Sequence, residues 1–192
     1  MSIVERVKNI LLQPRQEWSV IDSEPTDAGS LYAGYIIPLA AIPAAAGFIG
    51  GSLIGYGVLG VTYRVPFLRG LTGALVQYIG ALVGVYVLAL IIDALAPTFG
   101  GVKNRLQALK LAAYSSTASW LAGIFLLVPG LRALGILGLY SLALLYLGLP
   151  VLMKSPEDRT VGYTIAAIVS AIIIYAVLGA ISGSVTGFGM WG

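Results

Sequence analysis

The sequence predicts an all-α polytopic membrane protein with five transmembrane helices and an N-terminal amphipathic helix in the membrane interface. First, the 192 residues are 58% hydrophobic and only 10% charged, with a mean hydropathy of +0.94, which is unlike an ordinary soluble domain. Second, apolar runs near twenty residues recur along the chain, and each can cross a hydrocarbon core of roughly 30 Å. Third, most basic residues fall in alternate loops between these runs.

These apolar runs divide the chain into three parts. Residues 1–30 form a cytoplasmic amphipathic segment, residues 31–182 form the transmembrane domain, and residues 183–192 form a flexible outside tail. The predicted spans are about 31–54, 71–96, 107–129, 131–153 and 161–182.

The segment before the first span has the pattern of a short helix. Ser2 and Glu5 have capping-box spacing, and apolar residues follow at helical intervals until Pro14 ends the pattern. Such a helix can lie in the interface or pack under the protein's own bundle, and the sequence leaves both open. The predicted membrane-interface anchors are Trp18, Arg6, Lys8 and, in the first outside loop, Tyr63.

The first outside loop, residues 55–70, is rich in glycine and aromatic residues. It can be a re-entrant loop if protein or water satisfies its backbone polar groups. Alternatively, it lies in the interface with Tyr56, Tyr63 and Phe67 at headgroup level.

Positive charge predicts the orientation, because basic loops are retained on the cytoplasmic side. With a cytoplasmic N-terminus and an outside C-terminus, only Arg64, Arg69 and Arg132 face out. The remaining basic residues then face the cytoplasm: Arg6, Lys8, Arg15, Lys103, Arg105, Lys110, Lys154 and Arg159.

A candidate polar site lies within the predicted spans. Asp93 and Lys110 lie near the cytoplasmic ends of consecutive antiparallel spans, so they can form an ion pair. Lys110 can instead snorkel to the interface, or the two residues can serve an ion or proton site. Small residues and hydroxyls around Ser115 predict either a close-packing face or a face that contacts solutes. The full candidate set is Asp93, Lys110, Ser115, Gln77 and Tyr78.

Glycines recur at four-residue spacing within several spans, as at Gly47, Gly51 and Gly55 and again at Gly80 and Gly84. Such spacing lets helices approach closely in lipid. The contact can be within one chain or between two copies.

The chain contains no cysteine and no histidine. This composition excludes thiolate and imidazole metal ligands, cysteine nucleophiles and histidine-based triads. A serine–lysine enzyme would need Lys110 beside Ser115 or Ser116, but these offsets on one helix do not bring the side chains together. We therefore expect no enzyme activity, no cofactor, no metal and no nucleic-acid partner.

Several segments carry softer motifs: Leu106–Ser115, Trp120–Ile124, Tyr146–Pro150, and Ile10–Pro14 followed by Glu17 and Trp18. Together they resemble the core of the Yip family of integral membrane proteins, in its prokaryotic form. The resemblance implies a five-span helical fold and a bacterial or archaeal cytoplasmic membrane. Eukaryotic Yip proteins bind Rab-type GTPases, but this chain lacks their long soluble N-terminal region and their Asp-Leu-x-Gly-Pro type motif. GTPase binding is therefore not expected.

Two functions follow from these observations. The first is a scaffold or membrane-organising protein without catalytic activity. Its partners would be the lipid bilayer and either a second copy or another membrane protein. The alternative is a small ion or solute transporter or channel that acts as an oligomer, with Asp93 and Lys110 near its polar path.

Overall fold

The computed structural model describes residues 1–58 and 61–185, which are helical apart from one short hairpin of two strands. The helices are α1 (Ile3–Leu12), α2 (Pro14–Ser23), α3 (Ala28–Leu31), α4 (Ile37–Phe48), α5 (Phe67–Leu95), α6 (Arg105–Ser115), α7 (Thr117–Ala122), α8 (Tyr140–Leu152) and α9 (Glu157–Val185). Wider π-helical turns at Tyr32–Ile36 and Ile49–Ile54 flank α4, and tighter 3₁₀ turns cover Ala96–Phe99, Gly123–Leu127 and Pro129–Leu139.

Three of the described helical runs are long and apolar enough to cross a membrane: Ala28–Ile54, Phe67–Phe99 and Gly130–Leu152. They coincide with the first, second and fourth predicted spans. The predicted span 161–182 falls within α9, whereas the span 107–129 is divided among α6, α7 and a 3₁₀ segment. Five membrane crossings therefore stay a prediction.

Hydroxyl groups explain why the helix divides after Ser115. The carbonyl of Ala112 accepts hydrogen bonds from the Ser115 hydroxyl at 3.2 Å and from the Ser116 hydroxyl at 2.7 Å. The Thr117 hydroxyl donates to the Tyr114 carbonyl at 2.7 Å. Side chains that bond to preceding carbonyls compete with the regular helical ladder. These hydroxyls are therefore engaged with the backbone of their own segment.

The first loop contains β1 (Tyr56–Val58) and β2 (Val61–Tyr63), which pair antiparallel with Tyr56 opposite Tyr63. The fold class stays all-α, and this short hairpin is a local addition within the first loop. It follows Gly55, whose φ of +87° ends the preceding helical run in a conformation that glycine adopts without strain. Phe67 and Tyr63 are exposed. The side chain of Tyr56 and the part of the predicted tail beyond residue 185 lie outside the described residues.

Helices α1 and α2 form a pair that we call the N-terminal hairpin (Ile3–Ser23). Its first helix begins with a capping box, because the Ser2 hydroxyl accepts from the Glu5 N–H at 3.2 Å and the Glu5 carboxylate accepts from the Ser2 N–H at 2.9 Å. The Ser2 N–H, together with the Ser2 hydroxyl, lowers the pKa of Glu5. Pro14 opens the second helix at a position that needs no N–H donor. Helix α2 packs mainly on α8, and α1 contacts α7. Tyr140, at the start of α8, donates to the Leu11 carbonyl at 3.1 Å. Ile10 and Trp18 are completely buried.

Candidate functional site

Buried polar contacts are concentrated where the N-terminal hairpin meets α6 and α8. We call the receiving surface the hairpin dock and define it by five residues: Gln107, Lys110 and Tyr114 of α6, and Gly148 and Lys154 of α8 and its C-terminal end. Lys110 is only 4% exposed, and Tyr114 is also buried. A buried charge in a membrane protein marks a site that needs an explanation.

Lys110 closes the C-terminal end of α2. Its ammonium donates to the Ile21 carbonyl at 2.8 Å and to the Glu24 carbonyl at 2.7 Å. The last carbonyls of a helix lack intrahelical donors, and Pro25, four residues after Ile21, has no N–H to offer. A cation at this end also interacts favourably with the helix dipole. Lys110 therefore supplies the donors that α2 cannot supply itself.

Asp22 is held from two sides. The side-chain amide of Gln107 donates to the Asp22 carbonyl at 3.2 Å and to its carboxylate at 3.1 Å. Lys154, just after α8, donates to the other carboxylate oxygen at 2.6 Å. The end of α2 is thus bonded to α6 and to the end of α8 at once.

Arg6 joins the two helices of the hairpin and is only 5% exposed. Its guanidinium donates to the carboxylates of Glu17 and Glu24. It also lies over the ring of Tyr114, 5.6 Å from the ring centroid. A buried charge is tolerated when it is paired and hydrogen-bonded. Arg6 therefore ties α1 to α2 and tethers both to α6.

Gly148 makes room for the indole of Trp18. A Cβ atom at Gly148 would lie 2.7 Å from the Trp18 ring and 2.5 Å from Leu111. The same indole meets the Tyr114 ring edge-on, with the centroids 6.4 Å apart. Any larger residue at position 148 would therefore displace the Trp18 indole.

The structure replaces the predicted Asp93–Lys110 pair with two separate contacts. Lys110 is engaged by the carbonyls of α2, which the sequence did not place near it. Asp93 faces Arg105, with its Oδ2 atom 4.0 Å from the guanidinium Nε. The Arg105 side chain is 83% exposed, so this ion pair is weak.

The other candidate residues do not join Asp93 and Lys110. Ser115 bonds to the carbonyl of Ala112 within its own helix. Tyr78 donates to the Ile37 carbonyl at 3.2 Å and so links α5 to the first helical run. Gln77 lines cavities in the other half of the molecule, roughly 24 Å from Asp93 along α5 at about 1.5 Å per residue. The five residues therefore do not form one site.

Two predicted interface anchors lie inside the protein. Trp18 has no exposed surface, and Arg6 is buried in its ion pairs, so neither contacts lipid headgroups. The physical reason is visible in the spacing, because Arg6 falls three residues after Ile3 and four before Ile10, on the face that packs inward. Lys8 and Tyr63 are exposed, and their place in the interface stays a prediction.

Four residues of this region escaped the sequence prediction: Glu17, Gln107, Tyr114 and Gly148. The face shared by Ile3, Arg6 and Ile10 was a detectable signal that Arg6 needs a buried acidic partner. No local pattern pointed to Gln107 or Gly148, because their partners lie far away in the sequence.

Comparison with known proteins agrees with this helical architecture. The Yip1 domain matches residues 8–181 of the chain. The chain is 25% identical over 170 residues to the inner membrane protein YohC of Escherichia coli K12, which covers 86% of this chain and 87% of YohC. YohC of Escherichia coli O6:H1 matches to the same extent, and no solved structure matches. Because the domain match runs from α1 into α9, the chain belongs to the Yip1 domain family of membrane proteins.

Proposed function

We propose that this protein is a non-catalytic membrane scaffold whose docked N-terminal hairpin widens one half of its transmembrane bundle. The observation that carries the proposal is the position of the hairpin dock. Its residues extend along most of α6, from Gln107 to Tyr114, and over the second part of α8 and its C-terminal end, from Gly148 to Lys154. The beginning of α6 and the end of α8 lie together, since the Gln107 amide and the Lys154 ammonium both bond to Asp22.

Two extra helices in one half give the molecule a wedge shape. Each helix is about 10 Å across, so the pair enlarges the cross-section of the half beside which it lies. A protein that is wider in one leaflet than in the other favours a curved bilayer. The hairpin can therefore organise the surrounding membrane without any chemistry.

The outer face of the hairpin suits lipid contact. Val4, Leu12 and Val20 are exposed, by 71%, 69% and 42% respectively. Lys8 lies between Val4 and Leu12 on the exposed face of α1, at steps of four residues. Apolar and basic residues on one exposed face are typical of helices that lie in a membrane interface. The inner face thus docks on the bundle while the outer face is available to headgroups and acyl chains.

The proposal includes the five-span topology with the N-terminus in the cytoplasm, which places the wide half in the cytoplasmic leaflet. It also includes a bacterial inner membrane as the location, as the name of the inner membrane protein YohC states for that relative. A second copy or another membrane protein as partner stays a prediction. A transport path through Asp93 and Lys110 is not proposed, because the Lys110 ammonium already bonds two carbonyls of α2.

Vesicle shape tests the proposal. The purified protein is reconstituted at increasing protein-to-lipid ratios into vesicles of phosphatidylethanolamine and phosphatidylglycerol, and their diameters are measured by electron cryo-microscopy. We expect the diameter to fall as protein increases. Gly148→Leu, which displaces Trp18, should weaken this effect. Gly135→Ala is the matched control, because its Cβ would meet no atom within 4 Å.

Two outcomes would contradict the scaffold. The first is a vesicle diameter that does not depend on incorporated protein. The second is that Gly148→Leu reduces the vesicle diameter as much as wild type does, although cysteine labelling shows that the hairpin of this variant is detached.

A further inference from the structure

A cavity of about 400 Å³ opens in the half of the bundle opposite the hairpin dock. We call it the arginine cavity; its walls come from the end of the first helical run, the start of α5, and the segment around residues 126–132. Arg69, Gly73, Gln77 and Arg132 are exposed, so the cavity is open to the surroundings. Its defining residues are Ser52, Arg69, Gly73, Gln77, Leu126 and Arg132.

The charge of this cavity favours an anion. A guanidinium carries five N–H donors in a planar fork that matches a phosphate, so it can bind an anion beside its other contacts. The sequence contains no acidic residue between positions 28 and 92 or between 94 and 156. All lining residues come from these two segments. The side chains of Arg69 and Arg132 therefore give the cavity a positive potential.

Ser52 adds a hydroxyl to the same wall. Its Oγ atom is buried and makes no hydrogen bond to any residue that the structure describes, although buried hydroxyls normally have a partner. Gly70 of α5 permits this approach, since a Cβ there would lie 1.9 Å from the Ser52 oxygen. The Ser52 oxygen is therefore covered by Gly70, so Ser52 shapes the wall of the cavity and the charge comes from the two arginines.

A second cavity of about 440 Å³ continues from the first and shares Gln77 and Leu126 with it. Its lining is mainly apolar and includes Pro43, Leu139 and Leu142. Both volumes fall within the range of ordinary ligand sites. Positive charge at one end and apolar walls at the other match an amphiphile better than a free anion.

We propose that the two joined cavities bind one anionic lipid. Its phosphate lies between Arg69 and Arg132, while an acyl chain occupies the apolar cavity beyond Leu126. This site is independent of the hairpin dock, so it can be tested whether or not the protein bends membranes.

Native mass spectrometry of the full-length protein in dodecyl maltoside tests the site with dioctanoyl phosphatidic acid as the probe. We expect one bound lipid per chain, and an affinity lower by about tenfold or more when Arg69→Gln and Arg132→Gln are combined. Arg64→Gln is the matched control, because Arg64 carries the same charge nearby and does not line either cavity. Its affinity should equal that of wild type.

Gly73→Leu separates the cavity from the charge. A Cβ at Gly73 meets no atom within 4 Å, so leucine fits and fills the cavity while both arginines remain. We expect this variant to lose the lipid as well. If the paired arginine variant loses helical circular dichroism or unfolds at a lower temperature than wild type, the binding measured with Gly73→Leu tests the site instead.

Three results would overturn the lipid site. An equal loss of lipid affinity in Arg64→Gln and in the paired arginine variant would mean that general positive charge attracts the probe. Unchanged binding in Gly73→Leu would place the probe outside the cavity. Displacement by inorganic phosphate at the concentration of the probe would assign the arginines to a free anion.

Discussion

Replacing Lys110 with methionine should release the N-terminal hairpin. Methionine keeps most of the apolar stem of the side chain but removes the donors to Ile21 and Glu24. A hydrogen bond from a charged group contributes about 1.5–3 kcal/mol. Part of this is offset because the variant no longer buries an ammonium group. We therefore expect the free energy of docking to weaken by about 2–4 kcal/mol.

Cysteine labelling measures this docking directly, because the natural chain contains no cysteine. Ile10→Cys places a thiol at a completely buried position of α1, whereas Val4→Cys places one at a position that is 71% exposed. A buried thiol reacts with a water-soluble maleimide only when the hairpin opens. A loss of about 2–4 kcal/mol should raise the labelling rate at Ile10→Cys about 30- to 700-fold.

Two controls separate docking from general instability. Lys103→Met removes the same charge from the exposed loop before α6, and it should leave labelling at Ile10→Cys unchanged. Labelling at Val4→Cys should be equal in all variants. If Lys110→Met keeps the Ile10→Cys thiol protected while the protein stays folded, then Lys110 does not hold the hairpin.

Further predictions concern the neighbouring contacts. Arg6→Met leaves the buried Glu17 carboxylate without its partner and should destabilise the protein by about 3–5 kcal/mol. Adding Glu17→Gln to Arg6→Met should restore part of the lost unfolding temperature. If the double variant recovers nothing, the pairing is refuted. Asp93→Asn and Lys110→Met should reduce stability independently, and a coupling energy above about 0.5 kcal/mol would revive the direct pair. The pKa of Glu5 lies below its ordinary value of 4.5 in the folded protein, so its capping contribution is present above that value and is lost as the pH falls through the folded pKa. Hydrogen exchange of the α1 amides, corrected for intrinsic rates, should therefore show less protection at low pH in wild type but not in Glu5→Gln.

The elements that follow from local physics could be predicted. The capping box joins Ser2 to Glu5, three positions later, and Pro14 ends the pattern of the first helix at its own position. The structure contains both features. Three apolar runs could be predicted in the same way, because length and composition decide whether a helix can cross a bilayer. The hydroxyls around Ser115 predict a close-packing face or a face that contacts solutes, but the pattern does not predict that the helix divides there.

The contacts of the hairpin dock could not be predicted, because they join distant segments. Lys110 and Ile21 are 89 positions apart, with α3, α4 and α5 between them, so no spacing rule connects them. Glycine spacing was also a poor guide to close approach. Gly80 faces open space, whereas Gly50, Gly123 and Gly148, which were not singled out, would each place a Cβ within 2.5 to 2.0 Å of a neighbour.

The bilayer explains why the dock uses such contacts. Helices surrounded by lipid gain little from hiding apolar side chains from each other, so association depends on close packing and polar bonds. The hairpin dock provides both. Gly148 leaves space for the Trp18 indole, and the Lys110 ammonium donates to a carbonyl at the end of α2. Changes of apolar shape on the hairpin, such as Ile10→Leu, should then matter less than the loss of one donor. We therefore expect the free energy of docking to depend more on polar residues such as Lys110 than on the apolar shape of the hairpin.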